Sequence, residues 1–285
     1  MTQMAPLSIM DLRNFLGIGV AGNFSGHLED ADEKNGFSSI QTGHLEAPKG
    51  IFPFYMPGAI NTRLHVNPLS STKIILPQGP ANVQMEPELA LLCDLKYQGN
   101  LVASVHPTHF AASNDCSIRR PEGKLSSKKN WGEASHGISD HFIPLDFFKP
   151  GGALDDYRLA SYLKRDDFYY PYGVDSAVVT YSYFYAQLID WIIDRMNHQK
   201  DEGPLEDFQQ ILKDTRYPRQ AVILVGATRY ENFGKSGYLK ATDETFIFLY
   251  DRRLNSCQEL LDHVKNGSFI PEHCSLLHQI VKGAK

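Results

Sequence analysis

The stretch Gln84-Met85-Glu86-Pro87-Glu88-Leu89-Ala90-Leu91-Leu92-Cys93 decides how this chain is read. Its second half is a short apolar run. Similar runs stand at Lys73-Ile74-Ile75-Leu76 and Leu101-Val102-Ala103-Ser104-Val105, among Pro and Gly punctuation. Such runs between turn residues predict strands. In an extended backbone side chains alternate, so Glu86 and Glu88 face the same way. Two like charges side by side repel, and Pro87 between them offers no ladder N–H. Taken alone, the pair reads as a solvated edge strand with exposed glutamates. A hard divalent cation such as Mg²⁺ or Mn²⁺, which prefers oxygen ligands, would change that reading.

Outward from this stretch the texture is mixed. Residues 8–16 predict a short helix. Tyr181, Phe184, Tyr185, Leu188, Ile189, Ile192, Ile193 and Met196 form one apolar stripe that predicts a helix over 176–196, with Asp175 or Ser176 as its cap. A further short helix is expected over Leu205 to Leu212. Ala221–Val225 and Thr245–Tyr250 read as buried strands. Ser256-Cys257-Gln258-Glu259 spells a capping box opening a helix that Gly267 would close. The segment 115–150 is polar and loop-like. These elements give a mixed α+β class with a strand-rich middle, and no linker divides the chain. A single domain over 1–285 is expected, with 1–50 as a lid-like N-terminal segment, 51–255 as the core and 256–285 as C-terminal helices.

Composition narrows the function. The 285 residues are 42% hydrophobic and 21% charged, enough for a sizeable core. Lys plus Arg is 28 and Asp plus Glu is 33, a net charge of −5, so no general attraction to nucleic acid or an anionic membrane is expected. The run Arg119, Arg120, Lys124, Lys128, Lys129 lacks interleaved aromatics and reads as a solvated loop. The four cysteines form no CxxC pair, the N-terminus has no early basic region, and the most apolar window is too short to span a bilayer. A cytoplasmic location is the expectation. Gly234-Lys235-Ser236 lacks the upstream glycine of a phosphate-binding loop, and no GxSxG nucleophile elbow is present.

Three further segments carry candidate chemistry. Asn114-Asp115 lies in a turn-prone stretch where Asp115 would complete an oxygen triad with Glu86 and Glu88. Lys128 and Lys129 precede Asn130-Trp131, and a lysine beside such a triad would stabilise developing enolate charge. Asn23-Phe24-Ser25-Gly26-His27-Leu28-Glu29-Asp30 offers a histidine with an acid two or three residues on, a dyad able to activate water. An echo of this segment, Thr42-Gly43-His44-Leu45-Glu46, supplies a rival histidine.

The order of these elements resembles the fumarylacetoacetate hydrolase family. Its members show G-x-N-Y-x-x-H-x-x-E, E-x-E-L, N-D-x-S-x-R and K-S-F segments in that order. The likeness runs from Gly19 to Ser139, roughly half the chain, with a weaker trace at Val225-Gly226-Ala227-Thr228. It implies a divergent bacterial member with that family's fold, a strand-rich β-roll or β-sandwich core with flanking helices. The metal carboxylates fall on Glu86, Glu88 and Asp115, binding Mg²⁺ or Mn²⁺. Catalytic positions fall on Lys129 (with Lys128 as the alternative register), His27 and Asp30, with Glu29 able to substitute. Substrate-binding positions fall on Asn23, Phe24, Arg119 and Thr228. The implied activity is hydrolysis of a C–C bond in a small 2-oxo or β-diketo acid by a homodimer. Decarboxylation, isomerisation, or ligand binding without catalysis are the alternatives. The chain departs from the pattern at Asp30, where the family has Glu. It departs again around Lys129, where Asn130, Trp131 and Ser135-His136-Gly137 replace the usual residues.

Overall fold

The run after Glu88 is continuously apolar rather than alternating, and continuous runs belong to strands covered on both faces. The computed structural model, which describes residues 8–31, 34–37, 40, 43, 44, 46–120 and 123–284, shows why. The first strands are β1 (Leu16–Ala21), β2 (Gly50–Tyr55), β3 (Leu69–Ser70), β4 (Lys73–Ile75), β5 (Val83–Gln84), β6 (Pro87–Gln98) and β7 (Leu101–Asn114). Next come β8 (Ser117–Ile118), β9 (His136–Ile138), β10 (Ile143–Pro144), β11 (Tyr157–Arg165), β12 (Phe168–Pro171) and β13 (Ser176–Ala177). The last are β14 (Gln220–Leu224), β15 (Glu244–Asp251) and β16 (Cys274–Lys282). The helices are α1 (His27–Asp30), α2 (Leu125–Lys129), α3 (Tyr185–His198), α4 (Phe208–Asp214) and α5 (Cys257–Lys265).

One sheet runs β2-β1-β14-β6-β7-β9-β3, with β10 added on β7, and a second runs β12-β11-β15-β16-β4, with β13 added on β11. The two sheets pack on each other. Leu89 and Leu91 of β6 and Phe110 of β7 share one buried cluster with Leu159, Ile247, Leu249 and Leu277 of the second sheet. The intervening Ala90 and Leu92 point the other way, into a cluster with Phe52, Phe54, Leu125 and Leu205. Alternation along β6 therefore feeds two cores, which is why its sequence shows no polar face. The architecture is mixed α+β, with a curled, strand-rich core and few helices, as expected of a fumarylacetoacetate hydrolase-like fold.

Several sequence expectations need correction. Residues 8–16 hold only a 3₁₀ turn, Asp11–Asn14, before β1 begins. β1, which falls within the 1–50 segment, is buried throughout between β2 and β14. The long helix starts at Tyr185, not 176. Asn23 takes the preceding backbone donors: Ser182 N–H donates to its carbonyl at 2.9 Å and Tyr183 N–H to its Oδ1 at 2.8 Å. Asp175 instead pairs with Arg158 and accepts from the Tyr250 hydroxyl. The second short helix begins at Phe208, where Asp207 caps it. The capping box at Ser256 and Glu259 forms as read, but after α5 the chain ends in β16 rather than in more helix.

The glycines of β1 let the aromatic strand beside it close down. A Cβ on Gly19 would lie 2.2 Å from the Phe52 ring, and one on Gly17 would lie 2.4 Å from Phe54. Both rings are buried in the core, so neither can swing aside. Gly19→Ala is expected to lose about 1–3 kcal/mol by overpacking, read as a lower urea midpoint with an unchanged slope.

Candidate metal centre

The β6–β7 hairpin register builds the centre. Pro87 pairs with Asn114 and Glu88 with Ser113, and the ladder continues one step further as Asp115 N–H donates to the Glu86 carbonyl at 2.9 Å. Residues opposite each other share a face, so Asp115 falls beside Glu86, and Glu88 follows two residues on. Pro87 opens the strand, where a missing N–H costs little. Glu86, Glu88 and Asp115 are 4%, 2% and 1% exposed. One carboxylate oxygen from each lies within 4.8 Å of the others. The solvated edge strand is thereby replaced by a buried triad.

Two cations meet it. Lys129, at the end of α2 and 3% exposed, donates to Glu86 Oε2 at 2.7 Å, Asp115 Oδ2 at 2.6 Å and the Asp115 carbonyl at 3.0 Å. Lys128 lines a separate cavity with Phe37 and Pro204, so of the two lysines it is Lys129 that reaches the triad. Arg119 Nη2 sits 2.5 Å from Glu86 Oε1, and its Nε and Nη2 donate to Gln84 and to the Tyr230 hydroxyl. The basic run is thus no solvated loop, since Lys128 and Lys129 are buried. Burial alone would raise Glu86, but Lys129 and Arg119 hold it below its ordinary pKa. Asp115 is likewise pushed up by burial and held down by Lys129 and His136. Burial would lower Lys129, but the three acids raise it. Among the described residues no cation pairs directly with Glu88, and burial together with Asp115 and Glu86 raises it well above its ordinary value. Its Oε2 accepts from the Gly226 N–H at 2.7 Å.

His27 lines the same small cavity as the triad, Lys129 and Ala227. Its Nδ1 lies 2.9 Å from the Thr228 carbonyl, which can only accept, so Nδ1 donates. Asp30 is drawn elsewhere. Its carboxylate meets Arg229 Nε at 3.0 Å and Lys235 Nζ at 3.3 Å and accepts from the Tyr230 N–H. Glu29 is exposed and borders a separate hollow with Glu46 and Lys49. Asn23 spends its amide on the Tyr183 and Val225 carbonyls and on Tyr183 N–H, a clip between loops. Phe24 packs edge-on against Tyr181. Thr228 contributes its carbonyl to His27, while its buried Oγ1 has no hydrogen-bond partner. In the echo, His44 is exposed, and Thr42 and Leu45 lie outside the described residues.

Sequence reasoning missed His136, Gln84 and Tyr230. His136 was visible only as a departure from the family pattern. Gln84 lay in the quoted stretch, but nothing in its spacing tied it to Arg119, 35 residues away.

A family described as "Family of unknown function (DUF5718)" matches residues 33–281. The chain belongs to the DUF5718 family. None of the curated proteins matches it. Among solved structures, Cg1458 with inhibitor is 16% identical with a TM-score of 0.52, covering 94% of this chain and 77% of that one. A provisionally assigned HpcE protein from Mycobacterium smegmatis is 14% identical with a TM-score of 0.52, covering 98% and 76%. A provisionally assigned fumarylacetoacetate hydrolase family protein from Yersinia pestis CO92 is 14% identical with a TM-score of 0.49, covering 93% and 92%. At these identities the likeness is one of fold. The fumarylacetoacetate hydrolase-like architecture stands as a likeness of fold, and DUF5718 is the family shown. Among the described residues no helix is long and apolar enough to cross a membrane.

The donor set of this DUF5718 chain fits a hard divalent cation. All three side chains offer oxygen, and 4.8 Å is within the span of two bonds of about 2.0–2.6 Å each. Glu86 Oε1 is buried and accepts no hydrogen bond, although Arg119 pairs with it by charge. The cavity leaves about 20 Å³, room for one water or ion.

Two outcomes follow from the charge balance. Lys129→Met should cost the metal-free protein about 3–5 kcal/mol, because it strands buried carboxylates without their cation; urea unfolding in chelator measures this. Glu88, whose pKa is raised by burial and by its neighbouring acids, must be ionised to act as a ligand, so Mn²⁺ affinity should rise with pH and binding should release protons. Calorimetry in two buffers of different ionisation enthalpy counts them. Glu88→Gln, which mimics the protonated acid and keeps the Gly226 bond, should fold normally and lose the metal.

Proposed function

We propose that this protein is a Mg²⁺- or Mn²⁺-dependent enzyme acting on a small 2-oxo acid by enolate chemistry, with decarboxylation or keto–enol isomerisation ahead of C–C hydrolysis. The observation that carries the reading is the buried Glu86–Glu88–Asp115 triad with Lys129 set among its oxygens. Glu86, Glu88 and Asp115 would hold the ion, which when bound supplies Lewis-acid withdrawal of charge from a substrate oxygen.

The chain's own residues do the rest. Lys129 places a full positive charge beside the site, where water is excluded and such a charge counts most. Arg119 adds a second, fixed by Gln84 and Tyr230. In decarboxylation the bond to the carboxylate breaks, CO₂ leaves, and the electron pair remains as an enolate that then takes up a proton. His27 Nε2 can carry that proton in or out.

Hydrolysis asks more of His27, which must then draw a proton from water and remain as an imidazolium. A carboxylate partner supports that ion far better than a carbonyl does. The hydrogen bond at Nδ1 goes to the Thr228 carbonyl, and Asp30 is engaged by Arg229 and Lys235. Hydrolysis of an acylpyruvate-like diketo acid is the second reading, favoured by the presence of His27 in the same cavity.

Thermal unfolding with MnCl₂ and oxalate, a two-oxygen mimic of an oxo-acid enolate, tests the site. Ligand at about 100 Kd should add roughly 2.7 kcal/mol, a shift of about 5–10 °C, absent in Glu86→Ala/Glu88→Ala. No shift in the wild type across several metal concentrations would refute the metal enzyme. With the shift in hand, Mn²⁺-dependent loss of CO₂ from oxaloacetate without cleavage of acylpyruvates supports the first reading, and the converse supports the second.

A further inference from the structure

His136 sits where the motif pattern of the fumarylacetoacetate hydrolase family would not place a histidine, and its surroundings are informative. It begins β9, with its backbone N–H donating to the Pro68 carbonyl at 3.0 Å. The residue is fully buried. Its ring stacks on Phe54, centroids 4.8 Å apart and planes 16° from parallel. Nε2 lies 2.5 Å from Asp115 Oδ1, and Nδ1 is buried with no hydrogen-bond partner. Among the described residues, the polar group this side chain engages is thus a candidate metal ligand.

We infer that His136 is a positioning residue that fixes the Asp115 carboxylate for metal binding, an inference resting on the metal-centre reading above. Asp115 Oδ2 already accepts from Lys129, and a carboxylate so paired accepts at Oδ1 as well, so Nε2 donates. With Oδ2 taken by Lys129 and Oδ1 by His136, the carboxylate is held at both oxygens, leaving further lone pairs for an ion. Phe54 stops the imidazole from rotating off that line. Outer hydrogen bonds of this kind orient metal ligands, and their loss commonly costs 10- to 100-fold in affinity. An apolar side chain at 136 would fill the volume equally well, so packing alone does not account for an imidazole there.

His136→Phe keeps a ring against Phe54 and removes the donor, whereas His136→Gln keeps a donor at the reach of Nε2. Mn²⁺ binding by electron paramagnetic resonance should weaken about 10- to 100-fold in His136→Phe and stay within about threefold of wild type in His136→Gln. Melting of the metal-free variants checks that each is folded. Equal Mn²⁺ affinity in wild type and a folded His136→Phe overturns the positioning role while leaving the metal centre intact. No Mn²⁺ binding by wild type overturns the metal centre, and this role with it. Should His136→Phe fail to fold, ¹H–¹⁵N spectra of the wild type decide, with the His136 signals identified by their loss in His136→Gln. An exchange-protected proton on Nε2 supports the inference, and a proton on Nδ1 with Nε2 bare overturns it.

Discussion

Three buried carboxylates set side by side repel one another and must be met by charge from the protein or from an ion. Desolvation alone makes each ionised acid expensive by several kcal/mol, and the remainder of the centre answers that cost. Lys129 lies against two of the acids, Arg119 against one, and His136 donates to Asp115. Glu88, left without a cation, is driven toward its neutral form and leans on the Gly226 N–H. Two cations thus face three acids, and the acid that neither cation touches is the one whose pKa is raised.

The sheet supplies the precision this balance needs. Glu86 and Asp115 oppose each other because the β6–β7 ladder reaches just past the named strands, and Glu88 shares their face by alternation. A slip of one residue would turn the acids away from Lys129 and into a packed core. Burial of β6 on both faces is what makes that slip prohibitive. The same apolar run that marked a strand in the sequence therefore also secures the register of the acids preceding it.

What was legible in the sequence was local. Alternation paired Glu86 with Glu88, the capping box at Ser256 closed as read, and the apolar runs became strands. What was hidden depended on contacts across long separations. Nothing near Asp30 in sequence shows that Arg229 and Lys235 will claim it, and nothing near residue 182 shows that Asn23 will take the N–H groups a longer helix would need. His136 looked like a lost motif residue, because only the fold brings it against Asp115. The order of short motifs pointed to the architecture, and the family model that matches the chain is DUF5718.

The topology also bears on how the molecule comes into being. β1 lies parallel to β14, about 200 residues later, and β4 lies parallel to β16 near the other end. Glu88 finds its N–H donor at Gly226 and His27 its carbonyl at Thr228. Pairings this distant are slow to form, because loop closure precedes any reward. On the ribosome, the acids at 86, 88 and 115 emerge long before the strand that completes their surroundings. Until β14 and the turn after it dock, the centre lacks the Gly226 N–H and the Thr228 carbonyl, so its surroundings are complete only once distant parts of the chain have met.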